Sequence, residues 1–195
     1  SPMPAQAEYD QYNVAGLSAI KAGLGTKHWI INGFVPAFAA SVDGLMLEGF
    51  AHNQFISSGF FGETRWRQDV DLVARAEFAD KFVFLTSSSN AATAAEHQRI
   101  MRYALASYLL AKRPDSYAFF LYGTGAALPA YYAEYDTNVG APTAGYSKDA
   151  SGLYVRPFQN GLAVVHATDS AGPLTLPLSG ALAGAYTDWD GVRRT

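Results

Sequence analysis

Val42-Asp43-Gly44-Leu45-Met46-Leu47-Glu48-Gly49-Phe50 is the most legible stretch of this chain. It reads as a β-strand, and alternation puts Gly44, Met46 and Glu48 on one face, Leu45 and Leu47 on the other. Before it, Lys27-His28-Trp29-Ile30-Ile31-Asn32-Gly33 is a shorter apolar run closed by Asn-Gly. Short, β-branched and placed between helices, it reads as a buried parallel strand. After it, Lys81-Phe82-Val83-Phe84-Leu85-Thr86 is a third strand, running into the polar loop Ser87-Ser88-Ser89-Asn90. Tyr117-Ala118-Phe119-Phe120-Leu121-Tyr122-Gly123 is a fourth.

Helical spacing fills the intervals. Residues 8 to 24 carry Tyr12, Leu17, Ile20 and Leu24 at loosely helical positions. Residues 64 to 79 direct Trp66, Val70, Val73 and Phe78 to a core and leave Arg65, Arg67, Asp71 and Arg75 outside. A further helix, capped by Thr93 or Asn90 with Glu96 in its first turn, runs to about Lys112 before Arg113-Pro114-Asp115 stops it. Strands alternating with helices specify a parallel α/β sheet with right-handed crossovers.

The character changes after Gly125. Gly152-Leu153-Tyr154-Val155-Arg156 and Leu162-Ala163-Val164-Val165-His166 flank Asn160-Gly161, a strong hairpin signal. A third run at Leu174 to Leu178 and the Trp189-Asp190-Gly191 end complete a small antiparallel element. The expected division is residues 1–135 for the strand–helix units and 136–195 for the all-β tail.

Composition narrows the classes. Of 195 residues, 49% are hydrophobic and 16% charged, so the chain can bury a core and is not disordered. A net charge of -3 supplies no basic field, which argues against nucleic acid as a partner. No apolar run approaches the length that spans a bilayer. The absence of cysteine excludes disulfides and thiolate zinc sites and fits a secreted or cell-surface protein. Ser1-Pro2-Met3-Pro4 reads as a cut in a longer chain.

In a parallel α/β sheet the site lies at the C-terminal ends of the strands, where the βα loops converge. Those ends are Asn32, Glu48, the Thr86 to Asn90 stretch and Tyr122. Glu48 carries the most information. If the leucine pair faces the helices, its carboxylate points to the other side, where desolvation is costly without a partner or a role. The structural alternative is an ion pair with an arginine such as Arg65. Asp43, roughly 16 Å away at about 3.3 Å per residue, is expected to cap the turn or bind the neighbouring helix instead.

His52, Asn53 and Gln54 follow Glu48 and can hydrogen-bond sugar hydroxyls, although a loop histidine is also commonly just exposed. Asn32 and Asn90 can bind ligand or make turns. Tyr131, Tyr132 and Tyr135, beside Glu134 and Asp136, pave a binding rim or cover the end of the sheet. His28, His97 and His166 lack metal-ligand spacing, so neither a metal nor any other cofactor is expected. Gly123-Thr124-Gly125 is too short a match for a phosphate loop, and a Gly-x-Ser-x-Gly elbow is missing.

Three motifs together resemble the hypothetical glycoside-hydrolase-like barrels, the family-fifteen type. They are Val42 to Phe50, Tyr135-Asp136-Thr137-Asn138-Val139-Gly140-Ala141-Pro142, and Gly152 to His166 with its Arg156-Pro157-Phe158-Gln159-Asn160-Gly161 centre. The resemblance runs from about residue 9 over nearly the whole chain. It implies a (β/α)8 TIM-type barrel, here its C-terminal half plus the antiparallel tail. It further implies that Glu48 is a catalytic or sugar-binding carboxylate. The reading that follows is a polysaccharide hydrolase with Glu48 as general acid or nucleophile, and the strand ends and loops offer Asn32, His52, Asn53, Asn90, Tyr122, Tyr131 and Tyr132 as substrate-binding candidates. Glycoside hydrolysis uses two carboxylates, and the second is expected from a missing N-terminal half-barrel. An uncovered half-barrel is expected to self-associate or to need that half. The alternative is an inactive carbohydrate-binding or surface-assembly module.

Overall fold

Four parallel strands lie side by side in chain order in the computed structural model: β1 (Ile30–Asn32), β2 (Gly44–Glu48), β3 (Phe82–Ser89) and β4 (Ser116–Tyr122). Residues 5–33, 35–56, 59–75, 78–114, 116–122, 131–167 and 174–195 are described. Helix α1 (Gln6–Gly23) precedes β1, α2 (Glu63–Val73) joins β2 to β3, and α3 (Ala94–Ala111) joins β3 to β4. Strand–helix alternation therefore gives the parallel sheet that the periodicity predicts.

The register fixes the faces. Gly44 lies opposite Phe82, Leu45 opposite Val83 and Glu48 opposite Thr86. Leu45, Val83 and Leu85 point to the helices and are buried with Trp66, Val70, Val73, Ile100, Met101 and Leu110. The helix assignments hold in kind: Trp66, Val70, Val73 and Phe78 are all fully buried. Thr93 caps α3 by accepting from the Glu96 N–H at 3.2 Å.

Among the described residues the opposite face is not covered by helices. Ile30 remains 41% exposed and Tyr117 46%, while Met46, Phe82 and Phe84 are half-buried beside them. Phe84 stacks on Tyr117 with centroids 5.3 Å apart, and His28 meets Phe82 edge-on at 5.0 Å. Strand β1 corrects one expectation: it is parallel but not buried. Among the described residues it has a neighbour on one side only, and α1, which precedes it in the chain, contains no buried residue. Among the described residues the parallel sheet is open, with β1 and β4 as its edges.

The tail is antiparallel, in order β5 (Ser147–Lys148), β6 (Tyr154–Phe158), β7 (Gly161–Val165). The hairpin forms around Gln159 and Asn160, one residue earlier than the Asn-Gly pair itself. Leu174 to Leu178 form no strand. Pro177 removes the N–H that a ladder needs there, and the third strand comes from Ser147–Lys148 instead. A separate hairpin of β8 (Tyr186–Thr187) and β9 (Arg193–Arg194) closes over the Asp188 carboxylate, which accepts from the N–H groups of Asp190 and Val192.

Tyr154, Phe158, Ala163 and Val165 enter the same core as α2 and α3. The Trp66 ring meets Tyr154 at 4.7 Å, and its indole N–H donates to Ser107 at 2.9 Å. Arg156 completes the junction. Its Nη1 donates to the carbonyls of Leu109, Leu110 and Lys112 at 3.0, 2.9 and 2.9 Å, the carbonyls that the end of α3 leaves without helical partners. Replacing Arg156 by Met keeps the aliphatic stem and strips four carbonyls of their donor, that of Ala144 (bonded by Nε at 3.2 Å) among them. We expect a loss of roughly 2–3 kcal/mol in urea unfolding with the m value unchanged.

Candidate functional site

Glu48 ends β2 on the face away from the helices, as the alternation requires, and is exposed. Its Oε2 accepts from the Asn32 amide at 3.0 Å. The structural alternative fails for Arg65, whose guanidinium pairs with Asp69 at 3.0 Å. Burial pushes the Asp69 carboxyl up, and the arginine opposes that shift. Asp43 does what its position suggested: one oxygen binds Lys21 of α1 at 2.7 Å, the other accepts from the Trp29 N–H at 2.9 Å. Lys21 and the Trp29 N–H together hold the Asp43 carboxyl below its ordinary range.

Beyond Glu48 the chain bends sharply. Gly49 has φ of 80° and Ala51, a non-glycine residue, φ of 61°. A Cβ on Gly49 would sit 2.5 Å from the Asn53 amide nitrogen. The bend lays residues 50 to 54 along the C-terminal end of β3, where the Phe50 N–H donates to the Thr86 carbonyl at 2.7 Å. Four consecutive hydroxyl residues receive the loop. Thr86 accepts from the Gly49 N–H, Ser87 donates to the Phe50 carbonyl, Ser88 accepts from the Gln54 N–H, and Ser89 turns the chain through the Ala91 N–H. All four are buried. The sequence pattern ends the strand at Thr86 and makes Ser87 to Asn90 a polar loop. The strand instead continues to Ser89, and the run of small hydroxyl side chains was the available signal.

His52 is 4% exposed rather than an exposed loop residue. Its Nδ1–H donates to the Ser88 carbonyl at 2.5 Å, and its ring lies edge-on to Phe60 at 4.6 Å. Together with Phe55, Ile56, Asn90 and Glu96 it lines a cleft of about 620 Å³ between this loop and the start of α3. Asn53 turns inward to its own loop, accepting from the Phe55 N–H at 2.9 Å. So His52 and Asn90 share one cleft, and Asn32 and Glu48 share one hydrogen bond.

The tyrosines lie elsewhere. Tyr132 bonds His97 of α3 at 2.6 Å, which places it on the helix-covered side of the sheet. Tyr131 is 71% exposed, bonds Asp136 and meets Tyr135 edge-on. The structure therefore does not group Tyr131 and Tyr132 with Glu48. The side chain of Tyr122 and the Gly123-Thr124-Gly125 stretch lie outside the described residues. The other carboxylates considered from sequence are engaged: Glu63 by Lys148 and Tyr154, Glu134 by Arg102 and Gln98, Asp136 by Tyr131. Among the described residues no group of three or more His, Asp or Glu side chains could hold a metal ion.

Burial lowers the proton affinity of His52 and of His97 relative to ordinary imidazoles. The unfolded chain then binds these protons more readily than the fold does, so stability present above about pH 6.5 is lost as the pH falls below it. The thermal midpoint should drop from pH 7 toward pH 5. His52→Gln, which keeps an N–H for the Ser88 carbonyl, should flatten part of that slope. An unchanged slope would remove His52 from the acid sensitivity.

No curated protein matches the chain. The model of the family described as "Hypothetical glycosyl hydrolase family 15" matches residues 2–162, a span that includes the parallel sheet, α3 and most of the antiparallel hairpin. On that match the chain belongs to the hypothetical glycosyl hydrolase family 15.

Proposed function

We propose that this chain acts in the hydrolysis of a polysaccharide, with Glu48 as the catalytic carboxylate. The supporting observation is the placement of Glu48 at the C-terminal end of a central parallel strand, on the uncovered face, hydrogen-bonded to Asn32 and ion-paired with no cation among the described residues. A carboxylate kept at such a mouth is available to a substrate. In this reading the four strands are half of a (β/α)8 barrel, and Ile30, Met46, Phe82, Phe84 and Tyr117 face its bore. His52 and Asn90 bind substrate in the neighbouring cleft. Glu48→Gln removes the ionisable group at constant shape. We expect hydrolysis across a glycan panel to fall on the order of a thousandfold while glycan binding persists. Unchanged hydrolysis would take Glu48 out of the mechanism.

One observation favours a second reading, an inactive carbohydrate-binding or surface-assembly module. Glu63, Glu134 and Asp136 are each committed to contacts within the fold, so none is free to serve Glu48 as the second carboxylate that hydrolysis uses. Glycan binding without turnover, insensitive to Glu48→Gln, would select it.

The hydrolase reading assigns the second carboxylate to four further strand–helix units. These would also cover the open face and pair with the edges at β1 and β4, supplied by another segment or a second copy. The chain by itself is then expected to self-associate. Gel filtration with light scattering reads this directly, and a well-behaved monomer at all concentrations would count against the half-barrel.

A further inference from the structure

Asn32 and Glu48 are the terminal residues of adjacent parallel strands, but they are not register partners. Asn32 lies opposite Met46, two residues short of Glu48. The amide therefore reaches along the sheet, across roughly 6–7 Å of strand rise, to bring Nδ2 within 3.0 Å of Oε2. Both side chains are exposed. A hydrogen bond between two solvated side chains adds little to a fold, because water satisfies both partners equally well. Its effect is local: it fixes the plane of the Glu48 carboxyl and occupies one oxygen. Oε1 accepts from no protein donor among the described residues.

The chemistry of the donor is also selective. An amide N–H donates a hydrogen bond, which is stronger when the acceptor is charged. A general acid instead needs its own O–H directed at the leaving oxygen. We propose that Asn32 is a positioning residue that holds Glu48 as an anionic nucleophile, in place of the sugar-binding role its strand-end location suggested. The inference rests on the reading of Glu48 as catalytic. In the step it serves, Glu48 Oε1 bonds to the anomeric carbon while the bond from that carbon to the leaving oxygen breaks. The bonding pair departs with the oxygen. When the leaving group is 2,4-dinitrophenolate, no proton donor is required, so the step can be observed without a second carboxylate.

The test uses 2,4-dinitrophenyl 2-deoxy-2-fluoro glycosides of the gluco, galacto, manno and xylo series. Labelling is followed by intact mass and located by peptide mapping, on the parent chain, Asn32→Ala, Asn32→Asp and Glu48→Ala. The expected result is one glycosyl group on Glu48 in the parent. Asn32→Ala should label roughly tenfold to a hundredfold more slowly with the same unfolding midpoint. Asn32→Asp should label slowly at about pH 8 and faster in acid, where the introduced carboxyl holds a proton and can donate it to Glu48. A purely structural asparagine would not produce that inverted pH profile. Glu48 labelled at equal rates with and without Asn32 overturns the positioning role and leaves the catalytic reading intact. A parent chain with no label, or with the label on another residue, overturns both.

Discussion

The register between β2 and β3 is the constraint from which the rest of the molecule follows. Gly44 sits against Phe82 so closely that a Cβ there would approach the Phe82 Cβ and carbonyl oxygen to 2.9 Å. From that contact onward each pair is fixed up to Glu48 opposite Thr86. Strand side chains alternate, so a slip of one residue would send Leu45 and Leu47 to the open face and Glu48 into the helix-packed core. Burial of Leu45, Val83 and Leu85 against α2 and α3 opposes that slip. The position of the carboxylate is thus set by apolar packing on the other side of its own strand.

The same pairing continues past the last regular residue of β2. The hydroxyl run of β3 takes up backbone groups of the Gly49 to Gln54 loop, and the left-handed bend at Gly49 and Ala51 makes this approach possible. Polar residues at a strand end would ordinarily indicate exposure. Here Thr86 to Ser89 are buried because the loop supplies their partners. His52 joins them through the Ser88 carbonyl, and so becomes part of the loop's framework as well as a wall of the cleft.

Alternation and helical spacing were enough to place the four parallel strands, the core face of α2 and the face occupied by Glu48, because those features are local. What escaped the sequence depends on contacts between distant segments. The exposure of β1 follows from its edge position, which a run of apolar residues does not encode. The burial of His52 follows from a loop crossing β3. The association of Tyr132 with His97 of α3, instead of with the strand ends, depends on the path of residues 131 to 136. Pro177 could have warned against a strand at Leu174 to Leu178, since it offers no ladder donor. The family match is to a hypothetical glycosyl hydrolase family, and the roles proposed for Asn32, His52 and Glu48 rest on their placement alone.

Arg156 carries a consequence for the order in which the molecule can mature. Helix α3 is synthesised well before the hairpin that bears this arginine, so its final carbonyls face water until β6 emerges and docks. Domains fold as units, from the amino terminus, as they leave the ribosome. In this chain the last carbonyls of α3 gain their donor from a hairpin that lies more than 40 residues further along, so the sheet–helix layer and the hairpin are completed together. The guanidinium thereby ties the antiparallel hairpin to the layer that carries the strand-end carboxylate.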